Sequence, residues 1–358
     1  MRAPVQLASA LCLGAFVIVG AAGLAQRGAT SPATSAAAPS DATARIVAAA
    51  QALLATLDDA GKARVQFPFE GPQKTRWSNL PGPMFQREGL LVGSLTPVQR
   101  TAVTALLSAA LSRDGLRKVA DIMRGDEVLR KEAEGRPAPA GGGRGGGGVR
   151  FGEGEYYLAF LGTPSVAAPW MLQFGGHHLA INLTMAASQA TMAPSLPAAQ
   201  PASYTVEGRT VRPLGNENDK GFALINALDG GQRTQAILGY RVSDLVLGPG
   251  RDGRTIQPEG IRASALTAPQ QTMLVDLVRE WTGIMNDAFA EPRLAEIRTH
   301  LPETYFAWSG PTANGSAAYF RIQGPTLVIE YAPQNSVDHI HTIYRDPTND
   351  YGAKITRK

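Results

Sequence analysis

Cysteine is all but missing from this chain: 358 residues contain one, Cys12, and it sits in an apolar N-terminal stretch. A disulfide framework and a thiolate metal site are thereby excluded, so the fold must rest on core burial. Charge of one sign is lacking too. Thirty-four Lys and Arg stand against 30 Asp and Glu, a net of +4, and no basic cluster alternates with aromatics, which speaks against a nucleic-acid partner. Beyond the N-terminus no run is apolar enough to span a bilayer. The chain has no Gly-x-Ser-x-Gly elbow. Its glycine-rich run at 135–148, GRPAPAGGGRGGGG, lacks both a preceding strand and the Gly-Lys-Ser/Thr ending of a phosphate loop, and reads as a floppy surface insertion.

What is present begins with MRAPVQLASALCLGAFVIVGAAGLAQ. Arg2, the apolar Leu7 to Leu24 and the small-x-small Gly23-Leu24-Ala25 have the anatomy of a secretory signal at residues 1–25. An uncleaved anchor is the alternative, weakened by the many alanines and glycines. The expectation is an exported bacterial protein, periplasmic or extracellular, with no stable membrane span after cleavage. Losing Arg2 takes the charge from +4 to +3 and removes Cys12.

Residues 26–41 are rich in Ala, Ser, Thr and Pro and read as a flexible tether; residues 42–358 read as one large domain. Helical periodicity starts near Thr43, with Ile46, Leu53, Leu54 and Leu57 able to share a stripe. Thr96-Pro97-x-Gln99 and Thr267 to Gln270 predict capped helix starts, and further helices are expected at about 114–131 and 217–239. Tyr156 to Leu161 and Trp170 to Leu183 have strand composition, and the tail from Tyr305 to Tyr344 reads as a meander. Runs of helices and runs of strands, without βαβ alternation, predict an α+β fold with antiparallel blocks flanked by helices.

Four of the five histidines fall in two pairs, His177-His178 and His339-Ile340-His341. On an extended strand His339 and His341 point the same way, and His178 shares a face with Ala180 and Asn182. That makes His178, His339 and His341 the candidate metal ligands, with Asn182 a hydrogen-bonding partner for His178 or for a substrate. His177 is then either a core histidine or an acid–base group. Glu330, in Val328-Ile329-Glu330-Tyr331, needs a partner if buried; a metal or Arg321 would supply one, and the residue is a candidate fourth ligand or general base. Three imidazoles and a carboxylate suit zinc, with copper, iron or manganese as alternatives, and an open position would give a hydrolytic nucleophile.

Arg345 is either a clamp for an acidic substrate or the partner of Asp346 or Asp350 in the turn-rich tail. Trp170 is a candidate ligand platform, although Trp77, Trp170 and Trp308 have the alternative of filling the core. His300 reads as a helix C-terminal cap. Three functions stay open: a metal-dependent enzyme, a hydrolase before an oxidoreductase; a metal-free enzyme using histidine; and a protein that binds a small acidic or sugar-like ligand without turnover. Each takes a small-molecule partner, and the oligomeric state is left open.

Arg76-Trp77-Ser78-Asn79-Leu80-Pro81, Gly176-His177-His178-Leu179 with Asn182, Tyr319-Phe320-Arg321-Ile322, Ile329-Glu330, and His339-Ile340-His341 through Arg345-Asp346-Pro347 and Asn349-Asp350-Tyr351-Gly352 form one set. In that set the chain resembles the DUF3500 family, a domain of unknown function, over nearly its whole length beyond about residue 45. The resemblance implies one continuous domain and carries no activity with it.

Overall fold

The computed structural model describes residues 39–135, 148–334 and 336–357. The expected signal at 1–25, most of the tether and most of the glycine-rich run lie outside the described residues. Among the described residues no helix is long and apolar enough to cross a membrane.

The fold is α+β, as the runs of helices and runs of strands predict. Helices α1 (Pro39–Ala55), α2 (Asp59–Val65), α3 (Pro97–Ala110) and α4 (Arg113–Glu134) come first, and α5 (Gly215–Ala227), α6 (Gly230–Ala236), α7 (Ala268–Thr282) and α8 (Asp287–Thr299) later. One sheet holds β1 (Gln66–Phe67), β2 (Leu90–Leu91), β3 (Tyr157–Leu161), β4 (Trp170–Gly176), β5 (Leu179–Ala186), β6 (Gln189–Thr191) and β7 (Leu196–Pro197). A small hairpin, β8 (Tyr204–Val206) and β9 (Arg209–Val211), precedes a second sheet of β10 (Ile261–Arg262), β11 (Tyr305–Ser309), β12 (Tyr319–Gly324), β13 (Leu327–Pro333) and β14 (Ile340–Arg345), antiparallel and in chain order.

Local sequence accounts for the helix starts. Thr96 Oγ1 accepts from Gln99 N while Gln99 Oε1 accepts from Thr96 N (3.0 Å), closing the expected capping box. Two expectations need correction. Residues 39–41, expected to belong to the tether, are helical, because α1 begins at Pro39, a residue whose fixed φ suits a first turn. The helix expected over 217–239 is two: Asp229 caps a new start at Gly230, its carboxylate accepting from Gln232 N (2.8 Å).

Each sheet has its own core. Ile46, Ala50 and Leu53 of α1 and Val103, Leu106 and Leu107 of α3 cluster with Leu158, Phe160, Leu172 and Phe174 of the first sheet. The second sheet packs on Leu274, Leu277, Val278 and Trp281 of α7. Its centre is an aromatic stack, Trp308–Phe320 at 5.9 Å and Phe320–Tyr331 at 4.8 Å, nearly parallel, with Trp281 edge-on to Phe320.

A third, smaller cluster joins the two, with Ala159, Leu161, Met171 and Ala180 from the first sheet and Ile343 from the second, beside Trp77 and Tyr351. The segment 193–199 stitches the sheets together. Leu196 and Pro197 pair with Ala180 and Leu179, while Ser195 and Ala199 exchange backbone hydrogen bonds with Tyr344 and Ile340. The start of β5 and the start of β14 therefore meet at residues 197–199.

Phe320→Ala removes the middle ring of the aromatic stack and should lower the unfolding free energy by about 3–5 kcal/mol. Urea unfolding measures it, and a loss below about 1 kcal/mol would show that the stack is not tightly packed.

Candidate metal centre

The block Trp170 to Leu183 is not one strand. Gly176 pairs with Leu179, so His177 and His178 form a two-residue hairpin turn, and His178 lies in the left-handed region at φ 60°. The glycines before them permit the close approach. A Cβ on Gly175 would lie 2.5 Å from Leu179 O, and one on Gly176 2.7 Å from the Tyr156 ring. Backbone bonds hold His178 on both sides: its N–H donates to Asn79 O (3.1 Å) and its carbonyl accepts from Ala198 N (2.8 Å). Arg87 closes the arrangement, one Nη2 donating to Ser78 O, Leu80 O and Gly176 O at 2.6–2.7 Å. Burial lowers its pKa to about 10, which leaves it a cation at neutral pH.

Because the turn at 177–178 and the start of β14 both sit beside residues 198–199, the two histidine pairs meet. His339 Nε2 lies 2.9 Å from His178 Nε2 and 3.0 Å from His341 Nε2. The three ligand atoms all fall within 4.8 Å of one another, with His178 buried and the other two half-buried. One ring nitrogen carries at most one proton, and that proton can point at only one neighbour. His341 Nε2 also faces the amide nitrogen of Asn79 at 3.1 Å, a further donor. Protons alone serve this crowd of nitrogens poorly, whereas a cation accepting three lone pairs satisfies them together. The cluster thus could hold a metal ion.

The electrostatics suit that role. Burial first, then the neighbouring His177, His341 and His339, push the His178 pKa well below its ordinary value. Burial and the rings of His341 and His177 lower His339 to about 4, against the opposing pull of Asp244. Both rings are therefore neutral at pH 7 and offer lone pairs. Around them stands a second layer. His341 Nδ1 faces Asp244 Oδ1 at 3.4 Å, which points the Nε2 lone pair inward. His177 lies against His178, the rings tilted by 30° with centroids 3.7 Å apart, and its Nδ1 bonds Asp126 Oδ1 at 2.6 Å, whose other oxygen accepts from Gly152 N.

Other expected site residues stand elsewhere. Asn182 does not orient His178, because the turn breaks the strand alternation; its Nδ2 donates to Pro194 O. Glu330 lies outside the cluster, its carboxylate accepting from Tyr319 OH (2.7 Å), Val246 N (2.9 Å) and Leu247 N (2.7 Å). Arg321 pairs with Glu259 at 2.8 Å rather than bonding Glu330. Arg345 pairs with Asp350 (2.7 Å) and Asp252 (3.1 Å), which is the tail-locking alternative. Trp170 is fully buried edge-on to Phe160, with Nε1 donating to Ser165 O, and takes the core role. His300 caps α8 as expected.

Asn79, Arg87, Asp126 and Asp244 were given no site role by sequence reasoning. Asn79 had a signal, since it lies in the Arg76–Pro81 motif; the other three are ordinary polar residues whose partners are distant in the chain.

Residues 40–353 match the family model described as "Protein of unknown function (DUF3500)". No curated protein and no solved structure matches the chain.

The depressed His178 and His339 values set an acid dependence. Below the unfolded value near 6.5 the unfolded chain takes up protons that the folded protein refuses. Metal-free protein should therefore lose stability as pH falls from about 6.5 toward 4. His339→Gln should shallow that slope in pH-dependent urea titrations; an unchanged slope would contradict the assignment.

Proposed function

The chain belongs to the DUF3500 family, whose description names no reaction, and from the histidine geometry we propose a metal-dependent hydrolase that works outside the cytoplasm. One observation carries this reading: the convergence of the His178, His339 and His341 Nε2 atoms from two sheets onto one spot. Three imidazoles with no fourth His, Cys, Asp or Glu in the group, among the described residues, suit a centre that keeps a position open. All-nitrogen ligation favours zinc, with copper, iron and manganese as the other candidates. Such an ion supplies Lewis acidity toward a carbonyl or phosphoryl group and acidifies water near neutral pH.

The protein's own groups supply the rest. Asp244 orients His341, while His177, fixed by Asp126, packs against His178. Asn79, itself buried, places its amide nitrogen 3.1 Å from His341 Nε2. Glu330 is not the general base in this scheme, because its oxygens already hold three donors. A metal-free anion-binding function is less well supported: Arg321 and Arg345, its natural contacts, are committed to carboxylates. The leader-like residues 1–25 support placing the protein in the periplasm or beyond.

Protein purified without a histidine tag should carry, or take up, one equivalent of a divalent transition metal. His178→Ala and His339→Ala should each weaken binding by two orders of magnitude or more, about 3 kcal/mol. Elemental analysis and zinc titration test this, and wild-type protein that neither contains nor binds zinc, copper, iron or manganese would sink the proposal. Chelator-sensitive cleavage of model esters, amides or phosphoesters tests the hydrolytic part.

A further inference from the structure

Glu330 is the one carboxylate in the strands of the second sheet, at 0% exposure, and its cross-strand neighbour Arg321 forms its ion pair with Glu259 instead. Two of the three donors it accepts from, Val246 N and Leu247 N, belong to the irregular segment 237–260. That strap takes up other buried polar side chains of β12 and β14 as well. Arg345 donates to Leu247 O and Gly248 O and pairs with Asp252, Arg321 pairs with Glu259, and Gln323 donates to Ile256 O. A strap that merely covered a core would need apolar contacts only. A desolvated carboxylate gripping two successive amides instead fixes the place of a backbone, since a buried carboxylate is strongly disfavoured without partners.

What the grip places is Asp244, two residues before Val246. Its Oδ1 faces His341 Nδ1 at 3.4 Å and accepts from Gln334 Nε2 (2.6 Å) and Leu245 N (2.6 Å). The sheet register explains why one strap meets both groups. Glu330 pairs with Ile343 and Ala332 with His341, so Glu330 and His341 share a face, one alternate position apart.

We infer that Glu330 is a positioning residue: by holding the Val246 and Leu247 amides it sets Asp244 against the outer nitrogen of His341, and so aims His341 Nε2 into the cluster. The role in metal affinity rests on the metal-centre reading; the placement of His341 does not. Outer-layer partners of this kind change metal affinity about 10- to 100-fold.

The test uses the full chain and two readouts. In metal-free protein at fixed pH, nitrogen NMR of His341 should show Glu330→Gln and Asp244→Asn moving the Nδ1 signal in the same direction. Val246→Pro, which deletes one gripped amide at a half-exposed position, should do the same and serves if Glu330→Gln fails to fold. In zinc competition titrations each of Glu330→Gln and Asp244→Asn should weaken binding about tenfold, and the double variant should be no weaker than the weaker single one. A His341 signal unmoved by Glu330→Gln or Val246→Pro overturns the inference whether or not zinc binds. So does a Glu330→Gln effect on affinity that persists in full in the Asp244→Asn background. Wild-type protein that binds no metal overturns the metal reading alone, and the nitrogen signal then decides the positioning role.

Discussion

Everything at the site depends on the pairing of one short segment, residues 193–199, with two strands from different sheets. Leu196 and Pro197 add to β5, and Ser195 and Ala199 bond to Tyr344 and Ile340 of β14. Without this double pairing the turn at 177–178 and the strand start at 339–341 would belong to separate layers. Once it forms, Ala198 N on His178 O and Ala199 N on Ile340 O bring the two histidine pairs to one end of the molecule. The apolar cluster around Ala180, Leu196 and Ile343 excludes water from the joint and strengthens those backbone bonds. Packing and site geometry are thus one arrangement.

The legible parts of the sequence were those whose cause is local. A threonine, a proline and a glutamine at fixed spacing announce α3, because the capping partners lie three residues apart. Alternation predicted His339, the residue before β14, and His341 together for the same reason: the period of extended chain is intrinsic to its backbone. The Arg345–Asp350 pair was foreseeable, being five residues apart in a turn. The hairpin at 177–178 was not, since Gly-Gly-His-His lacks the Asn-Gly or Asp-Gly turn signal and its left-handed residue is a histidine. Glu330 misled for a different reason. A carboxylate in an apolar strand signals that a partner exists, but nothing in the sequence says that the partners are amides more than 80 residues earlier.

Two kinds of buried ionisable group are therefore present, and they do different things. Glu330, Arg321 and Arg345 sit on the second sheet with neighbours that satisfy or neutralise them, and they hold the 237–260 strap in place. The His178 and His339 rings sit where charge is disfavoured, and they remain neutral with lone pairs facing each other. A structural role would satisfy those nitrogens with oxygen or amide partners, as Asp126 does for His177. Three imidazoles facing one another instead make poor mutual partners, and they are an arrangement better suited to a shared cation than to one another.

The turn carries the same implication through its backbone. A left-handed φ is favourable for glycine and costs a residue such as histidine on the order of 1–3 kcal/mol. Glycines are at hand in this turn, at 175 and 176, but both are needed where a Cβ would strike Leu179 O or the Tyr156 ring. Position 178 instead bears a histidine, held in its strained conformation by Asn79 O on one side and Ala198 N on the other, with Arg87 gripping Gly176 O. Glycine at 178 would relieve the strain at the cost of a buried ring that packs against His177. The imidazole also puts a nitrogen 2.9 Å from His339 Nε2, so the strained backbone and the convergence of the two histidine pairs meet in one residue.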